Sequence, residues 1–432
     1  MKAYKASMVF APLAMVGLFL ILTVPVIEFG EAGTYDADET RYHYPTVQKI
    51  LSKWPAVDLA NDPDSAVSPG YHYFLATILH FAGGGIHTLR YVNLLFSLGV
   101  PLALFFYARR FTADWQVCLM LLPLVSSNYL VKAACWVVTD NAALLLAVIT
   151  LLLLFSGRDS SKQLCAAGGV AALATFTRQL HVWLAIPIAV SGVFFVSKTR
   201  TFSRLVLAVA AGFAPLVILV ILYQAWNGFV PPAWESMSVK LSLCPIAYIL
   251  SVFAIFGVFF VPFQSVRQAG AWLVDLRVQL AAAFGLATAV LTPTSYSHAE
   301  GRWGGYLWEV ARHLPVIWDR SVLFAAAAPV GAALVAIMFI EIKRTGATRE
   351  AFLWIASVAG WGVSFVINRQ VFHRYYEPMV LAFLLIAVFQ LHTSASPKPM
   401  KLPLRRMMAL GVMQIIITAA TVLRGLVSDG VH

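Results

Sequence analysis

From one end to the other, the chain returns repeatedly to apolar runs long enough to cross a bilayer. Such a run needs roughly 17–25 residues. They fall near 8–27, 89–108, 114–131, 133–155, 163–178, 180–197, 205–223, 244–263, 271–291, 321–340, 351–367, 376–392 and 407–423. Few folds are open to such a sequence. Hydrophobic residues make up 60% of the chain and charged residues 12%, against about 25% charged and under about 50% apolar in a soluble domain. A water-facing globule cannot cover that much apolar surface. Lipid can solvate it, provided every backbone polar group is bonded internally, which only helices and closed barrels achieve. The runs are continuous, not alternating, so they do not fit the strands of a β-barrel. The expectation is an all-α integral membrane protein, a bundle of about 13 transmembrane helices forming a single domain over 1–432.

Basic residues orient the bundle. With Lys2 and Lys5 in the cytoplasm, Arg109, Arg110, Arg158, Lys162, Lys198, Arg204, Lys343, Arg344, Arg405 and Arg406 all fall on inner loops, and the acids gather on the outer side. The net charge of +11 is then mostly a positive-inside signal, suited to anionic inner-leaflet lipids, and requires no nucleic acid. No small-residue cleavage site follows the first run, so it reads as a retained signal anchor in a multi-pass protein. Cys118, Cys135, Cys165 and Cys244 lie in or at the ends of runs and imply no disulfide framework. There is no Walker loop and no GxGxxG. Asp36-Ala-Asp38 spells DxD but is too short to indicate a metal, and no cofactor is expected.

The first outer loop, 28–88, is the longest non-spanning segment. It begins Glu28-Phe-Gly-Glu-Ala-Gly-Thr-Tyr-Asp36-Ala-Asp38-Glu39-Thr-Arg41-Tyr42-His43. Charge near hydrocarbon costs about 2.5–3.5 kcal/mol at mid-bilayer and less at the interface. Acids crowded at a helix end therefore line a polar cavity, or else sit in a solvated loop. Tyr44, Val47, Ile50, Leu51 and Trp54 recur at helical spacing and predict an interfacial amphipathic helix over 44–54. The apolar segment 70–82 is too short to span and predicts a second surface-lying helix, started by Ser68-Pro69-Gly70.

Further outer spots carry charge. Asp140, after Thr139, is either a functional carboxylate at membrane depth or a helix-start acid favoured by the dipole. Arg178-Gln179, with His181, supplies either a snorkelling anchor or an anion ligand. Asn368-Arg369-Gln370-Val-Phe-His373-Arg374-Tyr375-Tyr376-Glu377 places two arginines against the positive-inside trend. A phosphate would explain them, because Arg binds it bidentately. The loop 292–320 adds His298, Glu300, Arg302, Trp303, Trp308, Arg312 and His313, as a sugar- or headgroup-facing surface or as an interfacial aromatic belt.

Together these pieces resemble the GT-C glycosyltransferases, multi-span enzymes that use polyprenyl-phosphate sugars. Asp38-Glu39 is similar to the acidic start shared by bacterial lipid A aminoarabinose transferases and protein O-mannosyltransferases. Asp38-Glu39 with His43 and Pro45, then Ser68-Pro69-Gly70-Tyr71, Thr139-Asp140 and Arg178-Gln179, resemble in order and rough spacing the dolichyl-phosphate-glucose α-1,2-glucosyltransferases. The likeness is best over about the first 185 residues and otherwise covers mainly the Arg374-Tyr375-Tyr376 neighbourhood. It departs at the single Pro after Ser68 and at His181.

The resemblance implies a GT-C-like bundle with two interfacial helices in the first outer loop. It implies inverting transfer of a hexose from a polyprenyl (dolichyl or undecaprenyl) phosphate to a hydroxyl of a glycan, lipid or protein acceptor. The active site would face the periplasm or the lumen. Asp38 would be the general base, with Glu39 orienting it and Asp140 as the second candidate. Arg178, Arg369 or Arg374 would meet the donor phosphate, and Asp36, His43, Tyr71, Gln179, His373 and Tyr375 would contact substrate. Monophosphate donors of this kind generally need no metal. The competing expectation is a transporter or flippase for a lipid-linked or anionic substrate. Such proteins show paired, interrupted helices in two halves, and no such symmetry is evident in the sequence.

Overall fold

A computed structural model describes residues 2–30, 37–156, 160–197, 201–237, 241–261, 266–368, 370–393 and 402–427. Contacts group the chain into two compact units, Met1–Ser238 with Met408–His432, and Val239–Met407. The first unit opens with α1 (Lys2–Phe29). A π turn over Glu39–His43 runs into α2 (Tyr44–Lys53), followed by α3 (Gly70–Ala82) and α4 (Ile86–Ala108). Next come α5 (Asp114–Val125), α6 (Asn128–Cys135), α7 (Asp140–Phe155) and α8 (Ser161–Thr177). A 3-10 turn over Gln179–Leu184 leads to α9 (Ala185–Ser197), and α10 (Phe202–Trp226) follows.

The second unit holds α11 (Cys244–Phe260), α12 (Val266–Leu273), α13 (Leu276–Val290), α14 (Tyr306–Arg312), α15 (Val322–Arg344), α16 (Thr348–Ser364) and α17 (Glu377–Thr393). A two-residue hairpin pairs Val316 with Ser321 and Ile317 with Arg320. The last helix, α18 (Leu404–Val427), returns to the first unit from Met408 onward. Among the described residues, eight helices are long and apolar enough to cross a membrane, or nine if the bent pair α5–α6 is one span; α7, α11 and α13 are shorter apolar helices. Phe10, Ile21, Phe213, Phe284 and Ile416 are exposed, as an apolar surface facing lipid requires.

Every apolar run read from the sequence falls on helix, but three are interrupted. The run 114–131 bends by 72° between α5 and α6. Pro123 stays inside α5, and the break falls at Ser126-Ser127. Hydroxyls take over the backbone there: Ser127 Oγ accepts from Leu130 N at 3.3 Å, and Thr418 Oγ1 donates to Ser126 O at 2.7 Å. This is how a broken helix survives in lipid. The run 133–155 opens into a non-helical segment at 136–139, and the run 271–291 breaks at Asp275, whose carboxylate caps α13 through Arg277 N.

The expected surface helices are present as α2 and α3. The first buries Val47 and Ile50, the second Tyr71, Leu75 and Leu79, and both faces meet in one cluster with Leu89 of α4. Each such side chain contributes about 1.5–3 kcal/mol on burial. Gly70 opens α3 because nothing larger fits: a Cβ there would lie 2.5 Å from Phe176 O of α8. In the second unit α15 packs on α11 in the same way. A Cβ on Gly331 would sit 1.7 Å from Leu250 O.

Gly331→Ala is therefore expected to lower the melting temperature in detergent by the overpacking cost, about 1–3 kcal/mol or more. Gly17→Ala, where a Cβ meets nothing within 4 Å, is expected to leave it unchanged or raise it. Equal melting of both variants would remove close helix contact as the reason for the Gly331 glycine.

Candidate active site

The segment 136–139 is held by polar side chains that reach it from sequence-distant elements. Glu39 is fully buried, and Arg90 Nε of α4 donates to both its oxygens at 3.1 Å. Arg90 Nη2 also donates to Oε2, and Val137 N–H to Oε1 at 2.8 Å. The guanidinium lies 4.2 Å from the Trp136 ring centroid, a cation–π contact. One turn along α4, Asn93 Nδ2 donates to Ala133 O and Trp136 O, both at 2.6 Å, and Asn93 Oδ1 accepts from Tyr71 OH at 3.0 Å. Asn141 Nδ2 donates to Leu130 O and Ser97 Oγ. Backbone groups that a continuous helix would satisfy are thus satisfied by side chains.

What this scaffold presents is Asp140, at the first position of α7. It is ion-paired with Arg178 at the end of α8, and both are largely but not fully buried. Asp38 immediately precedes Glu39 and keeps partial exposure. The two acids that are neighbours in sequence therefore differ in role. Glu39 has both oxygens committed to Arg90 and Val137, which makes it a positioning group. Asp38 stands beside the lock without being part of the Glu39–Arg90 pair. Burial, with Glu39 and then Asp140 in electrostatic range, pushes the Tyr71 phenol well above its usual range, so it stays protonated as a donor.

Gln179 is spent on structure. Its Oε1 accepts from Ser68 N and Ser68 Oγ, both at 3.1 Å, and its Nε2 donates to Ala66 O at 2.8 Å. The Ser68 turn and the Arg178-Gln179 pair are thereby bonded to each other. His43 Nδ1 and His72 Nε2 lie 2.9 Å apart, with the rings stacked. Burial first, and His43 second, hold His72 well below the usual histidine range, opposed by a hydrogen bond to the Ser68 backbone.

The remaining expected residues divide. His373, Arg374 and Tyr375 belong to the second unit. His373 is buried, with Nδ1 2.7 Å from Tyr248 OH and Nε2 2.9 Å from Glu377 Oε2. Both ring nitrogens are engaged inside that unit. The Arg374 guanidinium lies 5.6 Å from the Phe372 ring centroid and 5.1 Å from that of Tyr375. Trp308 is buried and donates to Val371 O at 2.6 Å, so it is a packing residue, not part of an interfacial belt. Asp36 and Arg369 lie outside the described residues. Among the described residues no three His, Cys, Asp or Glu side chains are grouped to hold a metal ion.

Arg90, Asn93 and His72 were not singled out from the sequence. Arg90 and Asn93 had a signal: a charge and an amide three residues apart, on one face of an otherwise apolar helix.

The first unit is thus a polytopic helical scaffold presenting two acids and an arginine beside a broken helix. Two crystal structures of ArnT from Cupriavidus metallidurans align with the chain, each at 15% identity. The one bound to undecaprenyl phosphate has a TM-score of 0.45, over 95% of this chain and 63% of that one. The apo structure has a TM-score of 0.40, over 92% and 79%. The chain thus spans less than two thirds of the length of the first. No family model matches the sequence, and no curated protein matches it.

Two outcomes follow from the geometry. Glu39→Gln should cost about 3–5 kcal/mol, the penalty for stranding one partner of a buried pair, read as a lower melting temperature. Adding Arg90→Met should recover part of that loss, since Gln can still accept from Val137 N–H. Simple additivity of the two losses would rule the lock out. Stability should also fall as pH drops below about 6.5. The unfolded state takes up a proton there that the folded state, with His72 held neutral, refuses. The slope is at most about 1.4 kcal/mol per pH unit, and His72→Gln should flatten it.

Proposed function

We propose that the chain is a polyprenyl-phosphate-dependent glycosyltransferase of the GT-C kind, moving a hexose to an acceptor hydroxyl on the non-cytoplasmic side of the membrane. The observation that carries this reading is the mutual bonding of its motif pieces. Residues 38–39, 68–71, 136–140 and 178–179 are far apart in sequence, yet direct contacts tie them together: Glu39 to Val137, Tyr71 through Asn93 to Trp136, Ser68 to Gln179, and Asp140 to Arg178.

In this reading the acceptor oxygen attacks the anomeric carbon as the bond from that carbon to the phosphate oxygen breaks. Asp38 takes the hydroxyl proton. The carrier leaves as a phosphate monoester, and Arg178 meets the charge that builds on it. Asp140 holds Arg178 until the phosphate arrives and is the alternative base. The acceptor is a glycan, lipid or protein hydroxyl. The interruptions at 126–127 and 136–139 also suit a transporter, which uses broken helices to bind its cargo.

A donor labelled in both sugar and lipid separates the two. A transferase releases free polyprenyl phosphate in step with glycosylated acceptor, whereas a transporter moves the intact donor across a vesicle membrane. Asp38→Asn is expected to lower transfer by at least about 100-fold while donor retention stays near the parent value. Turnover close to the parent would take Asp38 out of the mechanism.

A further inference from the structure

Between α14 and α15 the second unit carries its hairpin. Val316 pairs with Ser321 and Ile317 with Arg320, which leaves Trp318 and Asp319 as the turn. Both turn residues have positive φ, 47° and 63°. Two such residues in succession make the tight turn that matches strand twist, a place favoured by Asn and Gly. A tryptophan there is held against its steric preference. The protein interior offers it nothing in return. Trp318 is 89% exposed, and among the described residues its indole has no ring contact and no hydrogen bond. Leu314, Val316 and Ile317 beside it are exposed as well.

The hairpin is nevertheless fixed in place. Thr294 N and Ser295 N donate to Asp319 O at 3.0 and 3.2 Å, Ser321 N to Thr294 Oγ1 at 3.1 Å, and Val322 N to Pro315 O at 3.2 Å. Ser295 Oγ bonds the Asp319 carboxylate, which also lies 3.7 Å from Arg302. Arg320 Nε donates at 2.9 Å to Val290 O, at the C-terminal end of α13. The exposed side chains thus stand on a braced support.

Two apolar helices meet at that support. α15 begins at Val322, and its 23 residues rise about 35 Å, enough to cross the roughly 30 Å hydrocarbon core. α13 packs on it so closely that a Cβ on Gly285 would lie 2.5 Å from Ala328 O. Val290, Leu291 and Val322 are exposed where these helices end, and Leu280, Leu286 and Val330 are exposed further along them. The apolar surface of the hairpin therefore continues the lipid-facing surface of α13 and α15 past the helix ends.

We infer that residues 314–318 are a membrane anchor, with Trp318 seated at the boundary between lipid headgroups and acyl chains. An indole suits that boundary, because its ring is apolar and its N–H is a donor. Arg320, bonded to two carbonyls and to no acid among the described residues, brings a cation to the same edge, where it complements lipid phosphate. Through Asp319 the anchor ties the polar loop 294–302 to the bilayer boundary. It does not require the transferase reading.

The test uses the full chain in nanodiscs of phosphatidylcholine and phosphatidylglycerol. Cys118 and Cys165, the two cysteines that are not buried, are first removed by Cys118→Ala and Cys165→Ala. A nitroxide is then attached through Ile317→Cys, and its collisions with oxygen, which concentrates in lipid, are compared with those of a water-soluble nickel chelate. Phe284→Cys, at an exposed apolar position of α13, and Asn61→Cys, at an exposed position of a polar segment, serve as references. The probe at 317 should favour oxygen, as the probe at 284 does and the probe at 61 does not. A preference for nickel overturns the inference, and so does shielding from both agents, as contact with a second copy would give. Trp318→Gly supplies an independent reading. It should melt at or above the parent temperature in detergent, since glycine takes positive φ freely, and it should lose part of the quenching of protein fluorescence by brominated lipid. A lower melting temperature with unchanged quenching would make the indole a packing residue and overturn the anchor.

Discussion

A carboxylate shut away from water must be answered by charge and hydrogen bonds, and Glu39 accepts four of them. Arg90 grips both oxygens, and the Val137 amide supplies the remaining bond. Burying this pair is not in itself a source of stability. What it provides is position. Glu39 directly follows Asp38, and Val137 lies three residues before Asp140, so one ion pair sets the backbone of both candidate acids. The indole of Trp136 closes the other side of the guanidinium, which leaves Arg90 little freedom to swing toward any other partner.

The same requirement explains why polar side chains gather where they do. A helix that stops inside a bilayer leaves amides and carbonyls without partners. Each interruption in the first unit has its own remedy. Ser127 and Thr418 serve the bend, Asn93 and Glu39 serve the open segment, and Gln179 ties the Ser68 turn to the end of α8. Polar residues at membrane depth in this chain are therefore first of all backbone ligands. Asp140 differs in that its ion pair is with a side chain, Arg178 at the end of α8.

The helices were legible from hydrophobic runs, and so were α2 and α3, because amphipathic spacing and a Pro-Gly start are local signals. Ser68, Asp140 and Arg178 stood out in the sequence as separate motif pieces, while the bonds of Ser68 to Gln179 and of Asp140 to Arg178 were not legible there. What the sequence could not show is which of two adjacent acids is committed. Asp38 and Glu39 are equivalent until Arg90, 51 residues on, selects one of them. The bend in the run 114–131 follows a related logic. Pro123 is a strong local signal, yet the bend falls at Ser126, where a hydroxyl from α18 takes the carbonyl. His373 and Trp308 looked like surface groups in a polar loop. Tyr248 and Val371, distant in sequence, and Glu377, one helical turn from His373, engage them inside the second unit.

The bond from Thr418 to Ser126 spans 292 residues of chain, and this bears on how the protein is made. When the ribosome has delivered α5 and α6, the Ser126 carbonyl has no lasting protein partner, and none arrives until the entire second unit has been synthesised. Closing the bend depends on α18, so a truncation that removes α18 but spares every residue of the acidic site would leave Ser126 without its Thr418 and Gly411 bonds.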